Sequence, residues 1–98
     1  MSMNYKVITA YKYRAIKKPE QLRDRLRKQC QELQLLGRIL VGKEGINAAI
    51  CGEKQQIEQF KKFLKRDRRF ADLTFRELEA AENVYHKLVV RVRKEIVV

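Results

Sequence analysis

The residues of this chain with most chemistry to offer are two cysteines, one histidine, and a glutamate and an asparagine set around a glycine. Cys30 and Cys51 form no CxxC or zinc-ligand pattern. A thiol nucleophile needs a lowered pKa and a basic partner. His86 is the only histidine, and nothing in the sequence sets it beside either sulfur. Cys30 falls on a helical apolar stripe and Cys51 ends a strand, so both read as packing residues, and His86 as a solvated loop-end side chain. No catalytic residue and no metal site are expected within the chain. The stretch Glu44-Gly45-Ile46-Asn47 invites a catalytic reading. The stronger one is a tight turn, with glycine supplying a positive φ and asparagine bonding neighbouring backbone; contact with a partner is the functional alternative.

The charge is more telling. Twenty-three basic residues against 12 acidic give a net charge of +11. On a domain this small, such an excess favours a polyanion, nucleic acid first. The candidate binding residues fall in two runs: Arg23, Arg27 and Lys28, which with Arg25 occupy the flanks of an apolar helical stripe, and Lys61, Lys62, Lys65, Arg66, Arg68 and Arg69. The plain alternative is that these are solvated helix faces.

The elements that carry them follow from periodicity. Residues 5–14 are rich in β-branched and aromatic side chains and predict a strand, with Val7, Thr9, Tyr11 and Tyr13 on one face and Ile8, Ala10 and Lys12 on the other. Pro19 suits a first helical turn. Leu22, Leu26, Cys30 and Leu33 then make one apolar stripe, and Gly37 is placed as the helix cap. Strands are expected over 38–43 and 46–51, joined by the Gly45 hairpin. A second helix over about 53–66 carries Ile57, Phe60, Phe63 and Leu64 on its apolar face. Strands over 73–78 and 87–93 follow, joined by a linker near 80–85. The apolar end, residues 95–98, reads as a chain that continues into further protein.

The order βαββαβ with a last strand predicts an α+β, ferredoxin-like (acylphosphatase-like) sandwich spanning residues 1–98, two helices on one face of an antiparallel sheet. The opposite face is left open, and Tyr11, Tyr13, Arg91 and Arg93 are expected to share it, on strands that could be neighbours, as an RNA-stacking surface or a domain interface. Fold alone does not decide function. An acylphosphatase needs a glycine-rich phosphate loop ending in arginine, but residues 14–18 hold no glycine. An RNA-recognition motif needs aromatics on its third strand, and residues 46–51 have none.

Several stretches point further. The opening at 5–13, the hairpin at 37–52 with its Glu44-Gly45-Ile46-Asn47 core, residues 70–73, and the ending at 88–97 with Arg93-Lys94-Glu95-Ile96-Val97 stand in the order found in one family. Across nearly its whole length the chain resembles the N-terminal domain of the rhodanese-like tRNA uridine hydroxylases. It departs at Lys43, where proline is usual, and at Ala48-Ala49, where Gly-Thr is common. The resemblance implies a domain that positions tRNA for oxygen-dependent hydroxylation of the wobble uridine. The reactive cysteine would lie in a rhodanese domain that this chain lacks, and molecular oxygen would be used by the parent enzyme, with no cofactor held here. Docking on the rhodanese domain without RNA contact is the alternative. No apolar run approaches the ~20 residues of a membrane span and no signal peptide is visible, so a cytoplasmic setting with reduced thiols and no membrane partner is expected.

Overall fold

The computed structural model describes residues 2–97. Met1 and Val98, the latter the last residue of the apolar end, lie outside the described residues. The elements are β1 (Tyr5–Tyr13), α1 (Pro19–Glu32), β2 (Leu36–Gly42), β3 (Gly45–Glu53), α2 (Lys54–Lys65), a 3₁₀ turn (Arg68–Phe70), β4 (Arg76–Ala80) and β5 (Leu88–Val92). The sheet order is β4-β1-β3-β2-β5, with both helices on one face, the expected ferredoxin-like arrangement.

The sheet is mixed rather than antiparallel, because β2 and β5 pair in parallel. The connection at 81–87 carries the chain from one edge of the sheet to the other. Four strand spacings, about 19 Å, must be crossed; eight helical steps would rise only about 12 Å, so the connection has no room for a helix. The chain then returns antiparallel to β4, and that is the direction of β2.

Alternation along the strands decides which side chains meet the helices. Ile8 and Ala10 of β1, Ile46, Ala48 and Ile50 of β3, Ile39 and Val41 of β2, and Val90 of β5 all lie in the core. Against them α1 presents Leu22, Leu26 and Cys30, and α2 presents Ile57, Phe60 and Leu64, all buried. Each such aliphatic or aromatic side chain contributes roughly 1.5–3 kcal/mol of burial. Ile16, Leu35, Phe70 and Leu73 close the ends of the core.

Three boundaries differ from expectation. The left-handed residue after α1 is Gln34 (φ 57), while Gly37 lies within β2. The Leu35 N–H donates to the Cys30 carbonyl and the Gln34 N–H to the Gln31 carbonyl, the paired bonds of a Schellman cap. Burial of Leu35 against the core outweighs the cost of a left-handed non-glycine residue. Next, β4 begins at Arg76 rather than Leu73, since Leu73 turns into the core and its N–H closes the preceding 3₁₀ turn on Phe70. Finally, β3 runs on to Glu53, pairing with Tyr5, before α2 starts.

The hairpin between β2 and β3 has Lys43 and Glu44 as its two-residue turn, with Gly42 opposite Gly45. Gly45 has φ 150, and a Cβ there would run into the Lys12 carbonyl oxygen of β1. Gly45→Ala is therefore expected to cost about 2–3 kcal/mol, read as a lower urea midpoint with an unchanged m-value.

Candidate nucleic-acid interface

The open face of the sheet is partly covered by the chain itself. Past β5, residues 93–97 fold back over β2 and β3, and Ile96 is fully buried there with Leu40. Both polar groups of Ile96 are taken: its N–H donates to Glu44 Oε1 at 2.9 Å, and its carbonyl accepts from Asn47 Nδ2 at 2.8 Å. Asn47 thus holds the distant tail rather than its own turn. A side chain at Gly42 would meet the Arg93 carbonyl and Ile96 Cγ2, so the glycine lets the tail approach. The Glu44-to-Asn47 motif and the 93–97 ending, far apart in sequence, form one clamp.

At the uncovered parts of this face stand Tyr11, Tyr13 and Leu78, exposed by 64%, 56% and 71%. The tyrosine rings meet edge-to-face at 6.1 Å. Register sets Tyr11, Asn47, Leu40 and Arg91 in one transverse row. Tyr11 and Arg91 share the face, but β1 and β5 are not neighbours. Two strands and the Ile96 tail lie between them, about 14 Å across. Arg93 follows β5, where its N–H bonds the Val41 carbonyl. The four residues therefore make no single patch.

The basic runs divide in the same way. Arg27 Nη2 donates to the Val90 carbonyl at 2.6 Å, tying α1 to edge strand β5. Arg23 pairs with Asp24. Lys61 bridges Glu77 of β4 at 2.8 Å and Glu58 at 3.4 Å, with the Phe75 ring beneath it. Lys6 reaches the same two carboxylates, and Lys54 pairs with Glu79. Three lysines and three glutamates thus cancel along the β4–α2 edge. Hydrogen bonds from Lys61 and then Lys6 hold the Glu77 carboxyl below its ordinary range, one from Lys6 does so for Glu58, and the Lys6 amine is raised in turn.

Lys28, Lys62, Lys65, Arg66 and Arg68 remain. Among the described residues none of them has a carboxylate partner within 4 Å. Three of them close the C-terminal end of α2, where the helix dipole favours cations. Arg69 is held by Asp67 through Nε and Nη2. It also lines a cleft with Lys17, Lys18 and Arg25. Lys17 and Lys18 carry no sequence signal of a site: they stand in a short loop, and only the approach of the 3₁₀ turn brings them to Arg69.

The profile of the UPF0176 acylphosphatase-like domain matches residues 5–96. The chain belongs to this family. Among curated relatives, the UPF0176 domain described here is 43% identical over 97 residues to the tRNA uridine(34) hydroxylase of Bacillus velezensis, and 41% identical over 97 residues to that of Acholeplasma laidlawii. Each match covers 99% of this chain and 30% of the relative. A solved acylphosphatase from Coxiella burnetii superposes with a TM-score of 0.56 at 18% identity, covering 92% of this chain and 94% of that one, which shows the shared fold.

Within the UPF0176 domain the thiols face away from reagents. Cys30 is fully buried between α1 and the sheet, and desolvation pushes its pKa up to about 12. Cys51 is fully buried on the other face, where its backbone carbonyl accepts from Asn83 Nδ2. His86 is exposed in the connection to β5. No group of three or more potential metal ligands occurs among the described residues, and no described helix is long and apolar enough to cross a membrane.

Two outcomes follow from this geometry. Asn47→Ala leaves the Ile96 carbonyl without its donor and is expected to cost about 1–2 kcal/mol, with faster amide exchange at Ile96 while the helix amides stay protected. Glu77 and Glu58 are held low in the folded state. Their contribution is complete above the unfolded carboxyl pKa of about 4.3 and disappears as pH falls through the lower folded values. Urea midpoints should fall below about pH 4.5, and Glu77→Gln should make that fall shallower.

Proposed function

We propose that this domain positions tRNA for a uridine hydroxylase, with the reacting groups in another part of a longer protein. The observation that carries the reading is the uncompensated cationic surface of Lys62, Lys65, Arg66 and Arg68 on a domain whose relatives bear the name tRNA uridine(34) hydroxylase. Cations of this kind bind phosphates irrespective of sequence and orient a substrate without reading it. The chain spans about 30% of the length of those relatives, which leaves room for a rhodanese domain carrying the reactive cysteine, with molecular oxygen as the oxidant in a cytoplasmic enzyme. The buried thiols support placing the chemistry elsewhere.

The exposed Tyr11, Tyr13 and Leu78 favour a second reading, in which the sheet face docks on the rhodanese domain and RNA is held elsewhere. The two separate in one experiment. The 98-residue chain is titrated with tRNA across a salt series, as wild type, as Lys62→Glu/Lys65→Glu/Arg66→Glu, and as Tyr11→Ala/Leu78→Ala. Tight binding at low salt, a steep loss with added salt, and a loss of at least about tenfold in the first variant alone are expected. Binding indifferent to salt, or absent at every salt, removes RNA positioning.

A further inference from the structure

A cleft of about 380 Å³ lies between the start of α1 and the 3₁₀ turn. Its cationic walls come from three segments: Lys17 and Lys18 from the β1–α1 loop, Arg25 from α1, and Arg69 from the turn, with Gln21 between them. No carboxylate lines it. Four cations meet at one concave surface with only the Asp67 carboxylate, already bonded to Arg69, beside them, and the remaining positive excess favours an anion there.

The two arginines are braced from behind. The Arg25 guanidinium carbon lies 5.8 Å from the Phe63 ring centroid, and that of Arg69 lies 5.5 Å from Phe70. Asp67 takes Arg69 Nε at 3.0 Å and Nη2 at 2.7 Å, and it caps the Arg69 N–H at 3.0 Å. That fork uses two of the five guanidinium donors, and the others remain for a ligand. An arginine ordered before its ligand arrives loses less rotamer freedom on binding. Lys62, Lys65 and Arg66 have no aromatic or carboxylate brace of this kind among the described residues. A carboxylate can answer one guanidinium fork. The tetrahedral oxygens of a phosphate group can answer donors arriving from several directions.

We infer that this cleft seats one phosphate group of the RNA backbone, fixing the register of a strand that the α2 cations only attract. The inference rests on the tRNA reading above for the source of the phosphate, and on the cleft for its chemistry.

Lys18→Gln/Arg25→Gln removes two exposed cations of the cleft, and Lys62→Gln/Lys65→Gln is the control of equal charge; an unchanged melting temperature verifies that both fold. Inorganic phosphate is titrated first, read by amide and guanidinium NMR shifts. It should move Lys17, Lys18, Gln21, Arg25 and Arg69 in the wild type and lose that effect in the cleft variant only. For tRNA, the cleft variant should bind about tenfold more weakly at 0.1 M salt, with a salt slope lowered by roughly one, and the control should lose less. Equal losses in both variants, or phosphate shifts scattered over all cations, overturn the cleft while leaving the tRNA reading standing. Phosphate seated in the cleft of a wild type that binds no tRNA overturns RNA as the source, and the tRNA reading with it.

Discussion

The Lys43-Glu44 turn fastens two segments that lie outside the strand ladders, the loop after β1 and the tail after β5. Its two carbonyls accept the Arg14 and Ile16 N–H groups at 2.8 and 3.0 Å, which fastens the loop from β1 into α1. Its carboxylate accepts the Ile96 N–H, and Asn47, three residues on, donates to the Ile96 carbonyl. The turn can do this because Gly45 lets β3 pass against Lys12 and Gly42 lets the tail pass over β2. Without these bonds Ile96 would lose its hold on Leu40, and the Arg14–Ile16 stretch leading to Lys17 and Lys18 would lose its anchor. A motif that looks like an active-site loop is an internal fastening between the start of α1 and the path the chain takes after β5.

Charge is organised by the same economy of contacts. Five of the 12 acids stand where elements are joined: Glu58, Glu77 and Glu79 along the β4–α2 edge, Asp72 beside Lys12 and Arg14, Asp67 inside the turn after α2. The edge strand β4 is also defended by these charges, which oppose pairing with another sheet. The consequence lies elsewhere on the molecule. With these carboxylates used at the seams, Lys62, Lys65 and Arg66 at the end of α2 and Lys17 and Lys18 before α1 have no carboxylate within 4 Å among the described residues. The excess of 11 charges is therefore a surface property with a direction, and that direction is what gives a polyanion partner physical content.

Much of the fold was legible in the residues. The four-four-three spacing of Leu22, Leu26, Cys30 and Leu33 marks the buried stripe of α1, and alternation in 5–13 separates Ile8 and Ala10 from Tyr11 and Tyr13 as found. Local chemistry misled where tertiary packing outweighs it. Gly37 looks like a cap, yet the burial of Leu35 ends α1 three residues earlier with a left-handed Gln34. Leu73 looks like a strand residue because it is apolar, and it is apolar because it plugs the core. The site was less legible for a different reason. Whether a lysine is free depends on which carboxylate lies across from it, and the pairing of Lys61 with Glu77 depends on where β4 falls beside β1. The partner of Asn47 lies 49 residues away, and a single hydrogen bond leaves no period in a sequence.

A domain whose two thiols are both buried can still serve catalysis by positioning. Positioning demands rigidity more than reactivity, because an error of about 1 Å in placing a substrate can cost on the order of a hundredfold in rate. The fastening at Glu44 and Asn47 places the direction of the chain after β5 and the loop before α1 on one rigid hairpin. In the proposed role, RNA held at the cationic end and a catalytic domain attached beyond Ile96 would be referred to that same hairpin. The separation between phosphate and reacting base would then be set by the stiffness of β2 and β3. Loosening Asn47 would degrade alignment before it degraded affinity, since the α2 cations that attract the polyanion are not fastened by the clamp.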